Sequence, residues 1–303
     1  MPPRRRARPR RPLPPDTRAL LERALSEDKA DRDVTTRGLV EGPWPARARI
    51  VSEGSGTVSG IAVTEALGRR VGVRVVPRRR DGDAVRPGTT VLEISGDVRR
   101  ILSVERPMLN LLMHLSGVAT ATRRAVRAAG PSLAIFGTRK TIPGLRHLEK
   151  QAIRDGGGAA HRADLASGIL VKSPHVALRG ISGAVARLRS AYGRRPIEIE
   201  VRSIAEALEA VDAGADALLI DNAGPALSRR IVRAARRRAK RRLWIEISGG
   251  LTPETVGRYA ATGADAASLG ALTHSAAALP FHLRLVAVRA AGSHEARRPR
   301  RPR

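Results

Sequence analysis

Between residues 117 and 275 the chain alternates short apolar runs with helical stretches, and this rhythm constrains the fold more than any other feature. Apolar runs stand at Leu133–Gly137, Ile169–Val171, Ile197–Val201, Ala217–Ile220, Leu243–Ile247 and Ala266–Leu269. Helical periodicity fills the intervals, as in Ile204–Ala213 and Pro225–Arg238. Successive β–α units of this kind build a parallel sheet, either doubly wound or curled into a barrel. The residues at the strand ends favour the barrel, whose working groups project from the C-terminal ends of its strands. Those ends read Thr138-Arg139-Lys140, Lys172, Glu200, Asp221, Ser248-Gly249-Gly250 and Gly270. The order runs from cations through carboxylates to glycine-rich turns, which divides the expected site into three parts.

Arg139, Lys140, Arg162 and Lys172, with His161 beside them, suit a small ligand carrying more than one negative charge. Arginine presents a planar fork matched to a carboxylate, whereas lysine supplies a point charge. Only five basic residues are lysines, and two of them stand at these strand ends. Chance placement of surface cations in an arginine-rich chain is the competing explanation. Glu200 and Asp221, on consecutive strands, are paired carboxylates of the kind that hold Mg²⁺ or sugar hydroxyls; ordinary pairing with nearby arginines is the alternative. Ser248–Gly250 and Leu269-Gly270-Ala271, on the last two strands, let backbone N–H groups approach a phosphate. Gly156-Gly157-Gly158 reads as a close-approach loop delivering His161 and Arg162. No strand leads into it, so it is not a dinucleotide fingerprint. His114, His147, His274 and His282 lack ligand spacing and are taken as structural.

Residues 16–116 read differently, as an α+β domain. A helix is expected over Asp16–Ser26, strands near Arg47–Val51 and Val73–Val76, and a helix over Ala62–Val71. Turn signals at Asp81–Asp83 and Arg86–Gly88 flank further short strands, and a long helical stretch begins near Val98. The segment 276–290 is placed as a return that completes this domain. The expected architecture is therefore α/β: an incomplete parallel β/α barrel of about six strands, residues 117–275, with an N-terminal α+β sandwich-like domain.

The net charge of +28 raises a nucleic-acid reading. Aromatic residues are only 2% of the chain, too few to interleave with basic groups as stacking platforms. The excess of Arg over Lys is a compositional bias, and the charge reads as solvated surface. The arginine-rich ends, residues 1–15 and 291–303, read as disordered basic tails, and no specific nucleic acid is expected. The absence of cysteine excludes disulfides and a thiol nucleophile. No run of about 18 apolar residues occurs, so no membrane span is expected. Met1–Pro15 lacks the apolar stretch of a secretory signal, and a cytoplasmic enzyme is the expectation.

Taken together the segments resemble the quinolinate phosphoribosyltransferase (carboxylating nicotinate-nucleotide pyrophosphorylase) family. The matching runs are Glu27-Asp28 with Asp33–Thr36, Gly96–Thr120, Thr138–Lys150, Gly156–Arg162, Lys172 with His175, Glu198–Val201, Ile220–Asn222, Ser248–Gly250 and Leu269–His274. The resemblance implies a decarboxylating transfer of phosphoribosyl to quinolinate in NAD biosynthesis, with Mg²⁺ as cofactor. It implies a homodimer with shared active sites, or a larger assembly of such dimers. By motif, Arg106 of a neighbouring subunit joins Arg139, Lys140, His161, Arg162 and Lys172 on quinolinate. Thr138 lines the same end, Glu200 and Asp221 face ribose and metal, and Ser248, Gly249, Gly250, Leu269, Gly270 and Ala271 take the phosphate. Lys140, Lys172, Glu200 and Asp221 are the expected catalytic residues.

The chain departs from the family pattern at three places. Ser173-Pro174 replaces Asp-Asn between Lys172 and His175. Ala160 replaces an asparagine before His161, and Gly137 an aspartate before Thr138. Each removes polar groups expected to support the charged residues. A same-fold phosphoribosyltransferase for another acceptor, of the molybdenum-transport-associated type, is the nearest rival; a non-catalytic nucleic-acid-binding scaffold is the other.

Overall fold

The computed structural model describes residues 14–289. Apart from Pro14 and Pro15, where the first helix begins, the expected basic tails lie outside the described residues. The first part of the chain contains α1 (Pro15–Glu27), α2 (Val34–Leu39), β1 (Pro45–Ser52), β2 (Gly56–Thr57), α3 (Ile61–Arg70), β3 (Arg74–Pro77), β4 (Ala84–Val85) and β5 (Thr90–Asp97). The 32-residue α4 (Val98–Ala129) follows. The second part contains β6 (Ala134–Gly137), α5 (Arg146–Asp155), β7 (Ala159–Ala160), β8 (Ile169–Val171), α6 (Ser173–Tyr192), β9 (Ile197–Val201), α7 (Ile204–Asp212) and β10 (Ala217–Asp221). It continues with α8 (Pro225–Arg238), β11 (Trp244–Ser248), β12 (Ala266–Leu269), α9 (Ala271–His274) and β13 (Phe281–Val288).

β7-β6-β12-β11-β10-β9-β8 form one parallel sheet, curled into a half-barrel with β7 and β8 as its free edges. The sheet has seven strands rather than six. The extra strand is Ala159-Ala160, which pairs with Phe136-Gly137; two alanines after three glycines carry no apolar run to announce it. Residues on one face of each strand enter an aliphatic core with the helices, with Ile197, Ile199, Leu218, Ile220, Ile245 and Ile247 fully buried. The alternate residues face the inside of the half-barrel.

The second sheet has the order β13-β1-β5-β3 and is antiparallel. Its alternation is of the half-wet kind: Ala46, Ala48 and Ile50 are buried while Arg47 and Arg49 face solvent. β13, last among the described residues, lies beside β1, so after the half-barrel the described chain returns to the first sheet. The change of periodicity at Ser116-Gly117 does not separate two elements, because both residues lie inside α4. Leu109, Leu112 and Leu115 of that helix enter the first core, whereas Ala125 and Ala129 enter the half-barrel core.

Gly117 is where the strap leading to β13 crosses α4. A Cβ there would overlap the carbonyl oxygen of Ala277, and the Leu279 N–H bonds Met113 O at 3.0 Å beside it. Gly117→Ala gains about 1 kcal/mol of helix propensity but must displace backbone, and overpacking of that kind costs about 1–3 kcal/mol or more. The clash is expected to win, giving a net loss on the order of 2 kcal/mol in denaturant melts. Gly183→Ala, on an exposed helical face where the nearest atom is Arg179 Cβ at 3.6 Å, is expected to stabilise by about 0.5 kcal/mol. Equal effects at the two positions would refute the account of Gly117.

Candidate active site

The C-terminal ends of the half-barrel strands enclose a cleft of about 770 Å³. Thr138, Arg139, Lys140, His161, Arg162, Lys172, Glu200, Asp221, Ser248, Gly249, Gly250, Gly270 and Ala271 all line it. Two residues of the sequence reading do not. Leu269 is one residue out of phase with Gly270, and its side chain is buried in the outer core. Only its backbone is left to face a ligand. Arg106 is exposed on α4 and does not line this cleft.

The cations occupy one wall. Arg139 stands just beyond β6, and its Nε is buried without a hydrogen-bond partner among the described residues. A buried guanidinium donor left unsatisfied is costly. Arg162 is anchored by NH1 donating to Gly168 O at 2.9 Å. Burial, and then the charge of Arg139, hold Arg162 below its ordinary pKa. Lys140 is fixed through its backbone, Thr273 Oγ1 donating to Lys140 O at 2.6 Å. A Cβ at Gly270 would press on Lys140 Cδ at 2.9 Å, so the glycine leaves room for the lysine stem. Like charges held this close make a wall that calls for an anion.

Beneath the cations, His161 meets two carboxylates that sequence reasoning missed as site residues, Glu198 and Glu246. His161 Nε2 is 3.3 Å from Glu198 and 3.6 Å from Glu246, and the three ligand atoms lie within 4.8 Å of one another. Glu198 sits two residues before Glu200, and Glu246 two before Ser248, so strand alternation turns both into the barrel. The imidazole packs edge-on against Phe136 at 6.4 Å, and Phe136 in turn against Trp244. The hydrogen bond to Glu198 holds His161 above its ordinary pKa, against the pull of burial. Burial, then the Glu198 charge, push Glu246 up to about 7.

Both groups bind a proton more tightly folded than unfolded, so the stability they add is complete at acid pH and falls as pH rises. For Glu246 the window runs from 4.5 to about 7. Glu246→Gln mimics the protonated form. It is expected to flatten the stability curve between pH 5 and 8 and to stabilise by roughly 1–3 kcal/mol at the alkaline end. Parallel slopes for the two proteins in pH-resolved thermal melts would contradict this.

The opposite wall carries the carboxylates. Glu200 Oε1 accepts from Ser173 Oγ at 2.6 Å and Ser173 N at 3.3 Å, and its Oε2 lies 3.8 Å from Lys172 Nζ. Arg202, also absent from the sequence reading, stands 3.6 Å from both Glu200 and Asp221. Its N–H donates to Glu206 at 2.6 Å, while Ser203 caps α7 through Glu206 N. The carboxylate oxygens thus already converge on one cation. Two hard oxygen donors open to a cleft fit Mg²⁺ completed by substrate phosphates and water. Next to them Gly249 and Gly250 have φ of +91° and +64°. A Cβ on Gly249 would overlap Asn222, whose own N–H donates to Ser248 O at 3.0 Å. The turn therefore requires glycine and leaves bare backbone at the cleft. His274, taken as structural from sequence, lines the cleft as well.

The departures from the family pattern resolve into two changes. Gly137 and Ala160 are direct cross-strand partners. Both fall on the outer face of the sheet, and a Cβ on Gly137 would overlap Ile153 Cδ1. An expected Asp–Asn pair is thus replaced by an apolar contact behind the cleft. At the other place, Ser173 donates to Glu200 where an aspartate would repel it. Pro174 sits in the first turn of α6, where no helical donor is lost.

A half-barrel with a cationic wall facing carboxylates and bare-backbone turns defines the class of phosphoribosyltransferases that join an anionic acceptor to a phosphorylated sugar. Family models match for the quinolinate phosphoribosyl transferase N-terminal domain over residues 33–116 and C-terminal domain over residues 118–284. The chain belongs to the quinolinate phosphoribosyl transferase family. It is 38% identical over 263 residues to a probable carboxylating nicotinate-nucleotide pyrophosphorylase of Methanothermobacter thermautotrophicus, covering 85% of this chain and 94% of that protein. The carboxylating nicotinate-nucleotide pyrophosphorylase of Rattus norvegicus is 36% identical over 91% of this chain and 93% of its own. The crystal structure of NadC from Streptococcus pyogenes superposes with a TM-score of 0.84 at 34% identity, covering 91% and 98% of the two chains.

Proposed function

We infer that this chain joins quinolinate to phosphoribosyl pyrophosphate, releasing pyrophosphate and CO₂ and forming nicotinate mononucleotide, a step of NAD biosynthesis. The gathering of Arg139, Lys140 and Arg162 on one wall, with Lys172 beside Glu200 on the facing side of the same cleft, carries the choice of a dicarboxylate acceptor. The two acceptor carboxylates take up these cations, and His161, braced from below by Glu198, adds a further donor. Held this way, the pyridine nitrogen faces the anomeric carbon without paying for orientation at each encounter.

The nitrogen lone pair forms the new bond as the C–O bond to pyrophosphate breaks, its electron pair leaving with the oxygen. Glu200 and Asp221 lie where positive charge develops on the sugar and stabilise it. Glu200 and Asp221 would also hold Mg²⁺, which when bound would supply positive charge to offset the negative charge of the pyrophosphate. The backbone of Ser248–Gly250 and of Gly270-Ala271 receives the remaining 5-phosphate. The resulting pyridinium draws in the electrons of the adjacent C–C bond, CO₂ departs, and the ring carbon takes a proton from water.

The family motif assigns Arg106 to the acceptor, and because it is exposed on α4 away from this cleft we infer that it enters from a second copy in a homodimer. Purified protein with quinolinate, phosphoribosyl pyrophosphate and Mg²⁺ is expected to yield equimolar nicotinate mononucleotide and CO₂, and Lys172→Ala to yield neither. Mixing inactive Arg106→Ala and Lys172→Ala proteins is expected to restore about a quarter of wild-type activity. Half of randomly mixed dimers are hybrids with one intact site of two. No recovery on mixing would remove Arg106 from the shared site. Binding of phosphoribosyl pyrophosphate without turnover of quinolinate would point to another acceptor. No helix among the described residues is long and apolar enough to cross a membrane.

A further inference from the structure

We propose that Glu149 and Lys150, adjacent on α5, are positioning residues that hold the two acceptor-binding segments in place. Neither residue lines the cleft, and both are buried, at 0% and 5% exposure. Successive residues on a helix point about 100° apart, and these two side chains grip different pieces of chain. Lys150 Nζ donates to His161 O at 2.7 Å and to Arg162 O at 3.2 Å. His161 N in turn donates to Gly137 O at 3.1 Å. The segment carrying two acceptor-binding side chains is therefore pinned from β6 through its N–H and from α5 through its carbonyls. Glu149 accepts from Ile142 N at 3.2 Å and pairs with His114 at 2.7 Å. It thereby ties the loop that leaves Thr138, Arg139 and Lys140 to α4.

The lysine is a poor choice for stability alone. Among the described residues no carboxylate lies within ion-pair distance of it. Burial first, then the charges of Arg146, Arg154 and Arg139, hold its pKa below the ordinary value, with Asp164 acting weakly against them. A buried ammonium without a counter-ion is costly, and two carbonyls offset that cost only in part. What that arrangement supplies is fixed aim for His161 and Arg162, together with a further positive charge behind the acceptor wall. A misplacement of about 1 Å at a binding residue costs roughly 10²-fold in rate.

This role rests on the reading of the cleft as a quinolinate site, so the test carries one readout that does not. Lys150→Met keeps the stem and removes the donors; Glu149→Gln keeps the shape and removes the charge. In Lys150→Met the KM for quinolinate is expected to rise tenfold or more, with the KM for phosphoribosyl pyrophosphate within about threefold. Amide exchange across residues 159–168 is expected to quicken without ligand, while β9 is unchanged and the melting temperature holds or rises. Glu149→Gln is expected to quicken exchange across residues 138–145 instead. Unaltered exchange with a quinolinate KM within twofold of wild type would overturn the proposal. So would a parallel loss of both substrates with a lowered melting temperature, which marks a general fold defect. If the wild type fails to use quinolinate, that reading falls, and the exchange data alone decide whether the two residues hold these segments.

Discussion

Arg139→Lys is expected to lower kcat/KM for quinolinate by about 10²–10³-fold while leaving the KM for phosphoribosyl pyrophosphate within about threefold. The substitution keeps the charge, so a site needing only positive potential would barely notice it. Arg139 differs from the other cations of the wall in having a buried Nε with no partner among the described residues. Its guanidinium thus keeps a donor that the described residues leave unused. A hydrogen bond to a charged group contributes about 1.5–3 kcal/mol. Losing one limb of the fork and displacing the other costs about 3–4 kcal/mol, and each 1.36 kcal/mol is tenfold in rate. Steady-state kinetics with each substrate varied in turn separates the two ends of the cleft. A loss under threefold would mean that Arg139 acts as a diffuse charge and that the dicarboxylate is oriented by other groups.

Much of this cleft is legible in the sequence because the half-barrel imposes a simple rule. Apolar runs mark strands, and the polar residue where each run stops lies at the working end. The rule located Thr138, Lys172, Glu200, Asp221 and Ser248 without a structure. It failed where a strand has no apolar run, as at Ala159-Ala160, and where a charge that pairs with the site's carboxylates lies beyond the strand end, as at Arg202. It also looked only at strand ends. Counting back two residues from Glu200 and from Ser248 reaches Glu198 and Glu246, whose carboxylates meet His161 inside the barrel. The same count places the Leu269 side chain on the wrong face, since Gly270 already takes the inner position.

The departures from the family pattern show a second limit. Read along the chain, Gly137 and Ala160 are separate losses of a polar group. Across the sheet they are one pair, and Ile153 from α5 occupies the space behind Gly137. Replacing both members of a polar pair by apolar neighbours is far cheaper than replacing one, which would strand its partner. Ser173 works by similar logic, since its hydroxyl and N–H satisfy the very carboxylate that a neighbouring aspartate would repel. Pairing of this kind is a property of three dimensions and leaves no mark on spacing. For the same reason the sequence shows Lys150 only as the end of the run Thr138–Lys150, although its ammonium reaches past its own helix to the carbonyls of His161 and Arg162.

Glu200→Gln is expected to reduce kcat by about 10²–10³-fold with little change in the KM for quinolinate. The isostere suits this position because Glu200 is held asymmetrically. Its Oε1 accepts both donors of Ser173, and an amide oxygen keeps those bonds. The amide nitrogen then replaces Oε2, the oxygen nearest Lys172. The fold is preserved and one unit of negative charge is removed from the sugar side of the cleft. A unit charge about 4 Å from developing positive charge interacts by about 4 kcal/mol at an effective dielectric of 20. That interaction grows as the pyrophosphate leaves, so its loss appears in kcat rather than in ground-state binding. Single-turnover measurements with both substrates bound give the rate of the chemical step directly. A rate within fivefold of wild type would remove Glu200 from the sugar side. A rise in the quinolinate KM at unchanged rate would instead assign the carboxylate to holding Lys172 against the acceptor.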